Sequence, residues 1–351
     1  MEIEFLVPLF FVFLTGLCFG SFLNVVVLRA FSNESISYPA SKCPKCQKPL
    51  YWWHNIPVLS YIMLRGKCYF CKSPISIQYP IVEFVTAVLF SLAYLKFGFG
   101  IHLIYLWAVI FMALVLAVAD IKEKVIFTRH VYVLAGIGLF YNFLYTMLNI
   151  KEPAITWLNN PFVNSIEGLL LGAVVMLVYF LIAGLLAGGK MAMGDGDIYI
   201  AGALGACLGF EKTAYMLIFA FLLQILITLI AYEYSLFKAK DFKIFASVIL
   251  FIIIGIGHCF LNNAGIFAQN TVIFILYTII LMLVALYILK DTFARVWNLK
   301  DKNPDAVLEN FVCIPFGPAL VAAAITVLFY LQEISVISQN FINSYLNFIG
   351  W

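Results

Sequence analysis

Charge is what this sequence has least of. Of its 351 residues only 21 are Lys or Arg and 18 are Asp or Glu, so 11% are charged, against roughly a quarter in an ordinary soluble domain. Histidine is rarer still, with 4 scattered residues. The sequence contains no H-E-x-x-H pair and no G-x-S-x-G elbow, which excludes the usual zinc-protease and serine-hydrolase schemes. A net charge of +3 spread over loops gives nucleic acid no surface to dock on, so no nucleic-acid partner is expected. Apolar side chains fill the space that charge leaves: 64% of residues are hydrophobic, with 34 Phe, 19 Tyr and a mean hydropathy of +1.02. A soluble globular protein is thereby excluded, and the partner that composition names is the lipid bilayer.

A helix needs about 20 apolar residues to cross the hydrocarbon core. Ten segments qualify, at 5–28, 79–95, 102–119, 130–148, 165–187, 193–209, 213–232, 244–260, 271–289 and 315–331. The sixth is short and rich in Gly and Ala. The expected fold is an all-α polytopic membrane protein of about ten spans. Ten spans divide the loops between two sides, and the 21 basic residues then split 18 against 3, the 3 being Lys96, Lys151 and Lys212. Because basic loops stay on the cytoplasmic side, the 18-rich side is read as cytoplasmic and both termini as outside. Removing the sixth span would spoil the split to 12 against 9. The chain is expected to divide into a first span (1–30), a cytoplasmic loop (31–78), a membrane core (79–232), an inserted helical hairpin with its loop (233–312) and a last span with its tail (313–351).

The loop at 31–78 holds Cys43-Pro-Lys-Cys46 and, 21 residues on, Cys68-Tyr-Phe-Cys71. Each C-x-x-C turn supplies two thiolates to one side, and two such turns complete a tetrahedral Zn²⁺ site. The alternative, a pair of disulfides, fits poorly with a reducing compartment. Four sulfurs leave no open coordination position, so the zinc is expected to be structural. His54 is read as a packing residue beside this set. Cys18, Cys207, Cys259 and Cys313 are read as ordinary packing residues of the membrane core or its interface.

Ionisable residues inside spans are costly and mark function by default. Asp120 ends the third span, Asp195 and Asp197 open the sixth in Met193-Gly-Asp-Gly-Asp197, Glu83 lies one turn into the second span, and Glu167 sits near the outer end of the fifth. The charge-derived topology brings Asp120, Asp195 and Asp197 to the same membrane boundary. Two aspartates sharing a site hold one proton between them, and such a dyad can activate water as a base while protonating the substrate as an acid. Gly194 and Gly196, lacking Cβ, would let a substrate backbone come close. The plainer alternative is that Asp195 and Asp197 only favour a helix N-terminus and that Asp120 is an interfacial residue.

At these residues the chain resembles the prepilin peptidases, or type IV leader peptidases, membrane aspartic proteases of the G-x-G-D kind. The resemblance runs in order through Gly20-Ser-Phe-Leu-Asn-Val-Val-Val-Leu-Arg29, the four cysteines with Asn55-Ile-Pro57, Ser60-Tyr61 and Gly66-Lys-Cys68, then Tyr79-Pro-Ile-Val-Glu83, Asp120, Met193-Gly-Asp-Gly-Asp197 and Ile314-Pro-Phe-Gly-Pro318. It implies that Asp120 and Asp197 are the catalytic pair and that Asp195 fills the variable position. It also implies the substrates, the short basic leaders of prepilin or pseudopilin precursors, cut at the cytoplasmic face of the cell membrane. Members with the four-cysteine loop typically also methylate the new N-terminus with S-adenosylmethionine, so this second activity is expected. The resemblance does not place the methyl-donor site. Phe127-Thr128 stands where the family often has Pro-Asp, Tyr199 replaces a common Lys, and the hairpin at 244–289 exceeds the usual plan. The competing reading is a transporter or membrane scaffold with a zinc-stapled loop, whose working charges would lie near mid-bilayer.

Overall fold

Inside lipid every backbone N–H and C=O must be satisfied within the chain, so runs this apolar can cross only as helices. In the computed structural model the described residues are 2–32, 34–36, 38, 40–148, 160–186, 194–238 and 315–330, with isolated helical residues between 246 and 287. The helices are α1 (Glu2–Ser32), the short α2 (Leu59–Met63), α3 (Gln78–Phe97), α4 (Ile101–Glu123), α5 (Thr128–Met147), α6 (Pro161–Leu186), α7 (Gly196–Leu208), α8 (Phe210–Lys238) and α9 (Gly317–Tyr330). Among the described residues there is no named strand. Eight of the ten expected spans fall on these helices; those at 244–260 and 271–289 lie outside the described residues, apart from isolated positions. Among the described residues five helices are long and apolar enough to cross a bilayer by themselves, and α7 and α9 are apolar but shorter. The protein is a multi-pass, all-α membrane protein.

Residues 1–221 with 315–331 make one compact unit, and residues 222–314 with 332–351 a second. The first holds every residue discussed below. Its centre is α4, which buries thirteen side chains from Leu103 to Asp120. Phe90 of α3 stacks on Trp107 at 5.0 Å, while the indole Nε1 donates to the Phe90 carbonyl.

Helix α7 has only 13 residues, about 20 Å of rise against a core of about 30 Å. Its length is set at the far end, where Gly209 takes φ +79° and stops it. The carbonyls left without an in-helix partner there are met by side chains from three other helices. Tyr105 of α4 donates to the Cys207 carbonyl at 2.8 Å, and Ser165 of α6 and Asn142 of α5 both reach the Ala206 carbonyl. Along its side, α7 lies backbone to backbone on α6: a Cβ on Gly168 would strike the Gly205 carbonyl, and one on Gly205 would strike that of Gly168. Such contact is how helices associate where lipid is as apolar as leucine. The same packing joins α1 to α3, where a Cβ on Gly20 would come within 2.6 Å of the Glu83 Cα.

This arrangement predicts that Gly168→Val and Gly205→Val each destabilise the protein by about 1 to 3 kcal/mol, the usual cost of overpacking. Gly136→Ala, on α5 where nothing lies within 4 Å, is expected to leave stability unchanged or slightly raised. Thermal unfolding of the detergent-solubilised variants measures both.

Candidate active site and metal centre

Asp120 stands in the last turn of α4 and Asp197 in the first turn of α7, 77 positions later. Both are buried, at 4% and 5% exposure, although most carboxylates are solvated. They lie close enough that the charge on Asp120 acts directly on Asp197. A third segment meets them. Phe316, buried against Tyr179 and Phe221, opens α9, and the backbone amide of Gly317 that follows lies beside both carboxylates. That amide is one of the donors a helix N-terminus leaves free, and such donors favour anions. Glycine at 317 lets the carboxylate come this close, because a Cβ there would meet Asp120 Oδ2 and press on Ile200, so that the Asp120 side chain would have to shift. Neither Asp120 Oδ2 nor Asp197 Oδ1 has a protein hydrogen-bond partner. The arrangement therefore leaves one oxygen of each carboxylate free to work on a water or a substrate.

Asp195 occupies the residue just before α7 and is exposed, so the two aspartates of the motif face different surroundings. Gly194 is exposed with nothing within 4 Å of a Cβ built on it. At Gly196 the space is taken by Ile126, from the turn between α4 and α5, whose side chain a Cβ would meet at 2.6 Å. That contact ties the turn after Asp120 to the start of α7, which carries Asp197. Glu83, also buried, belongs elsewhere: its Oε2 accepts the Val58 N–H at 2.7 Å, beneath the cysteine loop.

In that loop the four cysteine sulfurs of Cys43, Cys46, Cys68 and Cys71 all lie within 4.8 Å of one another. The Cys43 and Cys71 sulfurs are 3.9 Å apart, close to the edge of about 3.8 Å in a tetrahedron with Zn–S bonds of 2.3 Å, and far beyond a disulfide bond. All four are free thiols. The set therefore fits a closed tetrahedral zinc site. Hydrogen bonds from the Ser73 hydroxyl and backbone draw the Cys71 thiol down, while sharing of protons within the sulfur cluster pushes that of Cys46 up, so the thiols of the cluster titrate as one set.

The two knuckles are built alike. Lys42 bridges Pro49 and Lys67 bridges Pro74; Cys43 N–H donates to the Lys48 carbonyl and Cys68 N–H to that of Ser73; Gln47 and Lys72 take φ of 57° and 58°. The signal was in the sequence as a repeated frame, Lys42-Cys-Pro-Lys-Cys-Gln-Lys-Pro49 and Lys67-Cys-Tyr-Phe-Cys-Lys-Ser-Pro74, 25 positions apart. His54 is outside the sulfur cluster, buried among Tyr51, Trp53, Tyr69 and Phe70, and burial lowers its proton affinity. The roles of Gly317 and Ile126 carried no signal in a single sequence, since each depends on which distant residue it meets.

Two family models match the chain: the bacterial peptidase A24 N-terminal domain over residues 14–97, and the type IV leader peptidase family over residues 107–229. The first range takes in the cysteine loop and Glu83, the second both buried aspartates. A prepilin leader peptidase/N-methyltransferase of Klebsiella pneumoniae is 32% identical over 216 residues, 60% of this chain and 89% of the relative. A protein of that name from Myxococcus xanthus is 34% identical over 221 residues, 61% of this chain but only 60% of the relative's length. Another from Bacillus subtilis is 32% identical over 211 residues, 60% of this chain and 78% of the relative. No solved structure matches. With its two buried aspartates and its cysteine loop inside the matched ranges, and with nearly nine tenths of one relative covered, the chain belongs to the type IV leader peptidase family.

Proposed function

We propose that the protein is a membrane aspartic endopeptidase that removes the short basic leader of prepilin or pseudopilin precursors at the cytoplasmic face of the cell membrane, and then N-methylates the exposed amine with S-adenosylmethionine. The observation that carries the first activity is the pair of buried carboxylates at the Gly317 amide, each with an unpartnered oxygen. In the cleavage step one carboxylate of Asp120 and Asp197 takes a proton from water as its oxygen attacks the scissile carbonyl carbon. The other, protonated, donates to the carbonyl oxygen. Collapse of the tetrahedral centre breaks the C–N bond as the leaving nitrogen takes the proton from the first carboxylate and a hydroxyl of the tetrahedral centre returns one to the second, which restores the singly protonated pair. Burial keeps bulk water from competing for these protons. The carboxylates lie at helix ends, whereas a transporter's working charges belong near mid-span.

For the second activity, S-adenosylmethionine supplies an electrophilic methyl group. The new amine forms the N–CH₃ bond, the S–CH₃ pair returns to sulfur, and one proton is released. The cytoplasmic placement is supported by the 18 against 3 split of Lys and Arg, and methylation by the names of the relatives. Zinc held by Cys43, Cys46, Cys68 and Cys71 is assigned a structural part, because four thiolates leave no position for a substrate.

Asp120→Asn and Asp197→Asn are each expected to lower leader cleavage by about 10³-fold or more in a purified assay, since an amide keeps the shape but cannot exchange the proton. Near-normal cleavage by either variant would remove the dyad.

Asp195→Asn is expected to stay within about tenfold of the parent rate, about 1.4 kcal/mol of barrier, because its side chain is exposed while that of Asp197 is buried. An inactive Asp195→Asn beside an active Asp197→Asn would shift the catalytic assignment to Asp195.

Elemental analysis of reduced protein should find about one zinc per chain, and Cys68→Ser or chelation should lose it. Limited proteolysis would then cut residues 40–75 first. Freshly purified reduced protein without metal would contradict the assignment.

A further inference from the structure

Beneath the cysteine loop lies a cavity of about 390 Å³ that the carboxylate chemistry does not use. Its volume is in the range of sites for ligands of a few hundred daltons. One wall is α1, through Ser21, Asn24, Val25 and Leu28. The roughly opposite face of the same helix, Leu23, Val26 and Val27, packs on Val115, Val118 and Ala119 of α4, immediately before Asp120. Helix α1 thus stands between the cavity and the aspartate pair, so the two are separate sites in one unit.

Three observations say what the cavity would take. First, His54 lines it, is 7% exposed, and has an Nε2 with no partner. Its Nδ1 accepts the Tyr51 N–H at 3.1 Å, which leaves the hydrogen of the neutral ring on Nε2 as a donor awaiting an acceptor. Secondly, Glu83 brings a buried carboxylate to the same space. It is held there by Val58, whose φ of 59° and ψ of −49°, with the Leu59 N–H donating to the Pro57 carbonyl, make a γ-turn that a β-branched residue adopts only under strain. Strain of this kind persists where the surrounding structure requires it and clusters at ligand sites. Thirdly, Tyr61, Tyr69 and Tyr79 supply aromatic faces. An acid, aromatic faces and a spare imidazole donor, with Lys42 and Lys45 also among the lining residues, suit a ligand that joins a cation and an anionic group to a flat heterocycle bearing acceptors.

We propose that this cavity is the binding site for S-adenosylmethionine, with Glu83 facing the sulfonium end and His54 Nε2 donating to an acceptor of the ligand. The inference rests on the methyltransferase half of the function proposed above. Catalysis of cleavage and binding of the methyl donor would then use opposite faces of α1, and the trimmed N-terminus would pass from one to the other.

The test measures binding of radiolabelled S-adenosylmethionine and S-adenosylhomocysteine to the full-length protein in nanodiscs, by equilibrium dialysis, with zinc content as the check that each variant is folded. The unsubstituted protein is expected to prefer the cationic donor. Glu83→Gln should abolish that preference, a change that a general loosening of the fold would not make. His54→Asn retains an acceptor for Tyr51 but lacks the Nε2 donor, and should weaken both ligands at least tenfold; His54→Gln, which can present a donor near the Nε2 position, should recover part of the loss. As a measurement independent of substitutions, ultraviolet cross-linking of labelled S-adenosylmethionine should mark peptides within residues 54–83 or 21–28. If the protein binds and methylates while the variants bind as tightly as the parent, or the cross-link falls elsewhere, the site is overturned and the methyltransferase reading stands. If the protein binds neither compound under conditions where it cleaves leaders, the methyltransferase reading fails and the site falls with it.

Discussion

Direct contact between helix backbones at glycine is the constraint on which this structure rests. In lipid, burying one more leucine gains nothing over leaving it against acyl chains, so close approach and satisfied polar groups must hold the helices instead. Gly168 against Gly205 sets α7 on α6, and Gly20 against Glu83 sets α1 on α3. Each contact positions a carboxylate. The first fixes the helix that begins at Asp197, and the second fixes the backbone of Glu83 itself. The side chains of Tyr105, Asn142 and Ser165 complete the arrangement by taking up carbonyls at the far end of α7, which lets so short a helix end inside the unit.

The site at Asp120 and Asp197 inherits its character from this packing. Both carboxylates are enclosed, one at the end of a helix and one at the start of another, and the backbone amide beside both comes from the start of a third, α9. Every element of the site is thus a helix terminus. That is where a membrane protein can place unpaired polar groups at all, because helix interiors have used theirs. The strained γ-turn at Val58 shows the same economy in the loop: a backbone N–H that would otherwise go to solvent is turned onto the Glu83 carboxylate.

Much of this was legible beforehand because the relevant signals are local. Apolar runs of membrane length placed α1, α3 to α8 and α9 within a few residues, and two C-x-x-C turns announced four sulfurs that the structure brings within 4.8 Å. Loop charge placed Asp120 and Asp197 only on a shared membrane face, and their pairing came from the family resemblance. What a single sequence could not carry are facts that exist only between distant residues. Gly317 appeared as part of a motif with no role, because its close approach to Asp120 is a property of two helices nearly 200 positions apart. Gly196 was read as room for a substrate, whereas a Cβ there would meet Ile126. His54 was rightly kept apart from the sulfurs, but its spare Nε2 is visible only once its burial and its bond to Tyr51 are known.

The dependence on α9 also explains how the chain tolerates the stretch between α8 and the last helix. The family match ends at residue 229, yet residues 315–331 belong to the same compact unit as the aspartates. Closing a chain segment costs entropy that grows only logarithmically with its length, about 0.6 kcal/mol for each doubling. A long stretch of chain before α9 therefore adds little to the cost of returning that helix, provided that Phe316 still finds Tyr179 and Phe221 and so sets Gly317 against Asp120. What this placement requires lies in two residues at the start of a helix, Phe316 and Gly317, and hardly at all in the length of chain that precedes them.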